Sequence, residues 1–239
     1  MLPPIVKNIL IINGLFFLAT IAFSSAFKID LTDTLGMHYF GSEQFRPFQI
    51  ITYMFMHGSF GHIFFNMFAV WMFGNVLENF WGPKKFLTYY MVTGIGAILI
   101  QMFVIYIQVK GVTQYLTFDQ INLVLKDGYN ILQENKNFSD PYMGKLNLLY
   151  NTTTIGASGA VFGVLLAFGM MFPNSLIYVY FAIPIKAKWF VVIYGAIELY
   201  TGISNNPSDN VAHFAHLGGM LFGLILIMYW NKKIKGRYF

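Results

Sequence analysis

Six apolar stretches, at roughly 8–27, 59–79, 86–108, 158–172, 188–203 and 211–230, restrict the fold of this 239-residue chain more than any other feature. A membrane-spanning helix needs roughly 17 to 25 predominantly apolar residues, and most of the stretches reach that length. The fourth and fifth are short, so they require protein neighbours or a thinned bilayer. Composition agrees: 10% of the residues are charged and 56% are hydrophobic, where a soluble domain carries about 25% charge. The expected fold is an all-α membrane protein, a compact bundle of six transmembrane helices whose short fourth helix carries Ser158 at its start. One domain covers 1–239, with long external loops at about 28–57 and 109–153 and a short basic tail at 231–239. Lys7 before an apolar run that ends in Ser24, Ser25 and Ala26 has the outline of a signal peptide. The length of that run and its single lysine favour a span instead.

The formal charge of +5 comes from residues between and after the apolar stretches, with no basic, aromatic-interleaved stripe of the kind that binds nucleic acid. Lys84 and Lys85 follow the second stretch, Lys186 and Lys188 flank the start of the fifth, and Lys232, Lys233, Lys235 and Arg237 follow the sixth. These ends are expected on the cytoplasmic side, with Lys7 in agreement and both termini inside. The partner common to all of this is the lipid bilayer. Compactness and the lack of extra spans point to a bacterial inner (plasma) membrane. There is no cysteine, which excludes disulfides and thiol catalysis. In the second external loop Phe118, Ile121, Leu125, Tyr129 and Leu132 recur every three or four residues, as in a short amphipathic helix on the outer surface, although Gly128 interrupts it.

Parity then gathers the unusual polar residues. Even-numbered spans all run from outside to inside. His62 and Asn66 open the second, Ser158 opens the fourth, and His216 lies a few residues into the sixth. At about 1.5 Å of rise per residue they share a depth of roughly 5 to 10 Å below the outer boundary. Polar side chains there are costly in hydrocarbon and should face the bundle interior or a water-filled cavity. Gly159 and Gly163 form a GxxxG just after Ser158, and Gly219 and Gly223 form another just after His216. Small residues at this spacing let two helices approach closely, which predicts a Ser158–His216 hydrogen bond.

A serine becomes a nucleophile when a base takes its proton, and imidazole is the usual base near pH 7. His62 and Asn66 are four apart, hence on one helical face, and both can donate to a developing oxyanion. The Ser158 backbone N–H at a helix start adds a third donor. No acid stands near His216 in sequence except Asp209, a doubtful partner, so the expected machinery is a Ser/His dyad.

With these residues in place the chain resembles the rhomboid family of intramembrane serine proteases. The matching motifs are "GASG" at 156–159, "HIFFN" at 62–66 and "AHLGGMLFG" at 215–223, on the second, fourth and sixth of six spans. The resemblance implies Ser158 as nucleophile, His216 as general base and acid, and His62 with Asn66 as the oxyanion hole. It implies that Gly156 keeps the approach to the serine open and that Phe162 can stack on His216. Transmembrane proteins are the implied substrates, cut in or beside a spanning helix, with the fifth span as a lateral gate. No metal or organic cofactor is implied. Many members carry Trp-Arg in the first external loop, where this chain has Phe45-Arg46, and its connection between spans three and four is longer than a minimal family core.

A different class of function is a non-proteolytic membrane protein that binds a metal or a transmembrane partner through His57, His62, His213 and His216. On the protease reading His213 is structural, His57 belongs to the helix entry, and Arg46, Glu78 and Asn79 are structural. Glu198, the remaining intramembrane ionisable group, is near enough to the outer boundary to snorkel and receives no catalytic role. Pro173 ends the fourth span. The sequence names neither a substrate nor an oligomeric state.

Overall fold

A computed structural model describes residues 2–179, 182–204 and 211–235, with side chains described as far as 232. Helix α1 (Pro4–Phe27) starts on a proline whose missing N–H is no loss at that position. The Glu78 carboxylate receives the next orphaned donors, the N–H groups of Ile5 at 2.9 Å and Val6 at 2.7 Å. The segment between α1 and the second apolar stretch is partly helical, with α2 (Leu31–Leu35) capped by Asp30 and α3 (Gln49–Thr52) running into a 3₁₀ turn at Tyr53–Phe55. The second span is composite: α4 (Phe60–Ala69), a π turn at Val70–Gly74, and α5 (Asn75–Trp81). The Ser59 side chain caps α4 by accepting the His62 N–H.

Gly82, at φ +81°, ends α5, and Pro83 opens α6 (Pro83–Thr113), the longest helix described. The connection from α6 to α9 holds α7 (Phe118–Gln133), begun by a Thr117/Gln120 capping box, and α8 (Pro141–Asn151), capped by Asp140. Then come α9 (Ser158–Met171), a hairpin of β1 (Leu176–Val179) and β2 (Ile183–Lys186) paired antiparallel with Leu176 opposite Lys186, α10 (Ala187–Ser204), and α11 (His213–Lys235).

Among the described residues four helices are long and apolar enough to cross a membrane: Pro4–Phe27, Phe60–Trp81, Pro83–Thr113 and His213–Lys232. The two short stretches became α9, of 14 residues, and α10, of 18. At 1.5 Å per residue α9 is only about 21 Å long, less than the hydrocarbon core. Protein surrounds it instead, since ten of its residues are buried. By contrast α10 buries only Ala187, Val191 and Glu198.

The centre of the bundle is the contact of α9 with α6 and α11. A Cβ on Gly219 would run into the carbonyl oxygen of Gly159, so the two backbones touch there. The other half of the expected GxxxG pairing is corrected. Gly163 makes room for Thr93 of α6, Gly223 makes room for the Tyr89 ring, and the Tyr89 hydroxyl donates to the Gly163 carbonyl at 2.9 Å. Helix α6 thus wedges between the lower parts of α9 and α11.

The α7 expectation is met as a helix but not in its buried face. Val124 and Gly128 are the buried positions, while Phe118 and Leu125 are exposed. A Cβ on Gly128 would strike Asn147 of α8, so the glycine that interrupted the apolar pattern is where α7 packs on α8. The Tyr129 hydroxyl donates to Asp33 at 2.5 Å and ties this insert to the segment that follows α1.

Candidate active site

The segment leading into α9 is fixed before the helix begins. Thr154 pairs with Met37 of the first loop through two backbone bonds of 2.8 and 2.9 Å, and the Gly156 N–H donates to the Tyr53 carbonyl at 2.9 Å. Gly156 has φ +120°, and a Cβ there would lie 2.6 Å from His62 Nε2 and 3.8 Å from the Ser158 backbone nitrogen. Two constraints, backbone and space, therefore demand glycine. Its missing side chain is filled by the tip of His62, which brings that imidazole next to the N-terminus of α9.

Ser158 is the first residue of α9, so its side chain sits where the helix leaves backbone N–H groups unpaired. Ser158 Oγ lies 2.8 Å from His216 Nε2. The His216 ring is stacked on Phe162, with centroids 4.1 Å apart and planes within 5°, and Phe162 in turn stacks on Tyr194 of α10 at 5.2 Å. Of the expected site residues, Ser158, Phe162, His216 and Gly219 thus meet at the α9–α11 crossing, and Gly156 with His62 borders it. Asn66, buried on α4, donates one amide hydrogen to the His62 carbonyl at 3.1 Å and keeps a second N–H for another acceptor. Gly223 lies further along α11, against Tyr89.

The reading of Glu198 is corrected. Its Oε2 lies 2.8 Å from His216 Nδ1 and 2.7 Å from His213 Nδ1, and the residue is 6% exposed rather than snorkelling. A carboxylate only accepts, so both imidazoles carry their proton on Nδ1. His216 then presents a bare Nε2, and the Ser158 hydroxyl donates to it. The acid missing from the sequence reading is present in space, 18 residues before His216 on the neighbouring helix. Its one signal in sequence was an ionisable group inside a span. Asp209 lies outside the described residues.

The four histidines of the metal-binding alternative do not form one cluster. His57 and His62 face each other edge-on at 4.8 Å, while His213 and His216 gather on Glu198. Glu198, His213 and His216 each offer one ligand atom within 4.8 Å of the others, and Glu198 Oε2 and the two Nδ1 atoms are joined by the hydrogen bonds just described.

The family model described as "Rhomboid domain" matches residues 44–116 and 129–233, well over half of the chain. The unmatched residues 117–128 fall almost wholly in α7. The chain is 24% identical over 186 residues to "Rhomboid protein 1, mitochondrial" of Saccharomyces cerevisiae, covering 78% of this chain and 42% of that protein. It is 25% identical over 193 residues to "RHOMBOID-like protein 12, mitochondrial" of Arabidopsis thaliana, covering 81% of this chain and 48% of that one. The chain spans a little under half the length of these curated relatives.

Proposed function

The chain belongs to the rhomboid family, and from that premise we propose that it is an intramembrane serine endopeptidase, cutting other membrane proteins in or beside their transmembrane segments. The observation that carries this reading is the 2.8 Å bond between Ser158 Oγ and His216 Nε2.

In the proposed reaction His216 Nε2 takes the hydroxyl proton as Ser158 Oγ forms a bond to the scissile carbonyl carbon. The oxyanion so created would be stabilised by His62, by the second amide N–H of Asn66 and by the Ser158 backbone N–H, donors of the kind that lower such a barrier when aimed at the developing charge. Collapse of the tetrahedral species breaks the C–N bond, and Nε2–H delivers its proton to the leaving amine. Water then attacks the acyl ester with Nε2 as base, and the proton returns to Ser158 Oγ as the acid product leaves. No step requires a metal or organic cofactor.

Substrate access is assigned to the α10 side, because α10 buries only three of its residues and borders the site directly, through Glu198 on His216 and Tyr194 stacked on Phe162. Lysines at 84, 85, 186 and 188 and after the sixth span argue that Ser158 opens to the opposite face from both termini. That argument is the same in a bacterial plasma membrane, the expectation from sequence, and in a mitochondrial one such as the relatives' names indicate.

The test is cleavage of a panel of single-span proteins by the purified chain in liposomes, with the cut mapped by mass spectrometry. Cuts in or beside the spanning segment support the reading. Cuts confined to remote soluble regions contradict it.

A further inference from the structure

The sequence reading left His216 with no acid behind it, and the fold supplies one from α10. We propose that Glu198 is a positioning residue for His216, so that the docking of α10 on α11 and the readiness of the base are one event. This inference rests on the serine protease reading above.

Three observations carry it. First, one carboxylate oxygen, Glu198 Oε2, takes the Nδ1–H of both His216 and His213. A buried carboxylate is costly unless its oxygens are hydrogen-bonded, and two N–H donors on one atom hold it in a single place. Second, the His216 ring is then held on three sides: Glu198 at Nδ1, Ser158 at Nε2 and Phe162 across its face. Rotation about Cβ–Cγ, which would exchange the ring atoms facing Ser158, breaks both hydrogen bonds. Third, Ala187 and Val191, the other buried residues of α10, lie in its first two turns. In the half of α10 level with Ser158 the buried attachment is Glu198, supplemented by Tyr194 stacked behind Phe162.

Glu198 remains a carboxylate throughout. The proton leaving Ser158 Oγ goes to His216 Nε2 and later to the leaving amine. While both ring nitrogens carry hydrogen, the negative charge beside Nδ1 stabilises the imidazolium. Displacing α10 outward removes that charge and the Nδ1 anchor together. An opened α10 thus admits substrate to a base that is not yet set, and its return completes the site.

The experiment compares kcat, KM and Tm for the purified full chain, Ser158→Ala, Glu198→Gln, Glu198→Asp and His213→Ala on one single-span substrate. Glu198→Gln keeps the shape and loses the charge, and is expected to lower kcat on the order of 100-fold, with KM within about 3-fold of the parent. Glu198→Asp, which keeps the charge on a shorter arm, is expected to recover part of that kcat, and it carries the same kcat-against-KM reading if the glutamine variant fails to fold. His213→Ala leaves Glu198 on His216 and is expected to cost less than Glu198→Gln. Unchanged kcat in folded Glu198→Gln overturns the inference, as does unchanged kcat in Glu198→Asp when only that variant folds. A loss in His213→Ala as large as that in Glu198→Gln also overturns it, since a mere clip between helices would need both partners equally. Parent activity that Ser158→Ala retains in full would instead sink the serine reading, and this inference with it.

Discussion

Gly219 of α11 rests on the carbonyl of Gly159 of α9 so closely that a Cβ on Gly219 would overlap that oxygen. His216 lies one turn before Gly219, and Ser158 immediately precedes Gly159. The backbone contact therefore sets the distance across which the serine and histidine side chains meet.

Gly219→Ala is accordingly expected to push the helices apart. Overpacking of this kind costs about 1–3 kcal/mol, and the 2.8 Å Ser158–His216 bond should lengthen with it. Thermal unfolding and cleavage rate read the two effects separately. We expect a lower Tm and a kcat reduced by more than about tenfold, because misplacement on the scale of 1 Å is felt strongly in catalysis.

Phe162 supplies the flat surface on which the His216 ring lies. Phe162→Leu keeps apolar bulk but not the plane, and is expected to lower kcat roughly tenfold, whereas Phe162→Tyr should stay close to the parent; an aromatic stack of this type contributes about 0.5–1.5 kcal/mol. Steady-state cleavage by the two variants checks this.

The glutamate at 78 acts on the fold rather than the chemistry. It is 2% exposed and accepts the N–H groups of Ile5 and Val6, so its carboxylate sits at the positive end of α1. Glu78→Ala leaves two donors without that partner and is expected to cost about 1–3 kcal/mol. A lowered Tm with undiminished kcat per folded molecule is the predicted result.

Much of this site was legible in the sequence because it repeats a simple rule. On the expectation of six spans, the second, fourth and sixth run the same way, which gave His62, Asn66, Ser158 and His216 one expected depth, and the glycines marked where helices close on each other. Glu198 was not legible in the same way. It stands on the odd-numbered fifth stretch, outside the parity argument and 18 residues before its partner, and an acid near the end of an apolar stretch reads equally well as reaching for water. Its bonds to His213 and His216 depend on how α10 rotates against α11, which periodicity does not determine. Gly163 was misassigned for a related reason. A GxxxG names a face that accepts a close neighbour but not which neighbour, and Thr93 of α6 is the one that enters. The hairpin at 176–186 also escaped notice, because two four-residue strands carry too little alternation to stand out.

His57, outside the spanning segments, links stability to acidity. Burial first, and the neighbouring His62 second, push its pKa from 6.5 down to about 4. The unfolded chain therefore binds this proton between those two values while the folded chain does not. Stability from this group is full above about pH 6.5 and falls as the pH drops towards 4, by on the order of 3 kcal/mol at most. Tm measured across that window should decline, and His57→Phe should make the decline shallower. An identical slope in the variant would remove His57 from the explanation.

The central claim is that Ser158 is the nucleophile. The rate at which Ser158→Ala cleaves a single-span substrate tests it most directly, provided its Tm stays at the parent value. The account predicts cleavage by the parent chain and none above background by the variant. Cleavage by folded Ser158→Ala at a rate comparable to the parent would contradict it.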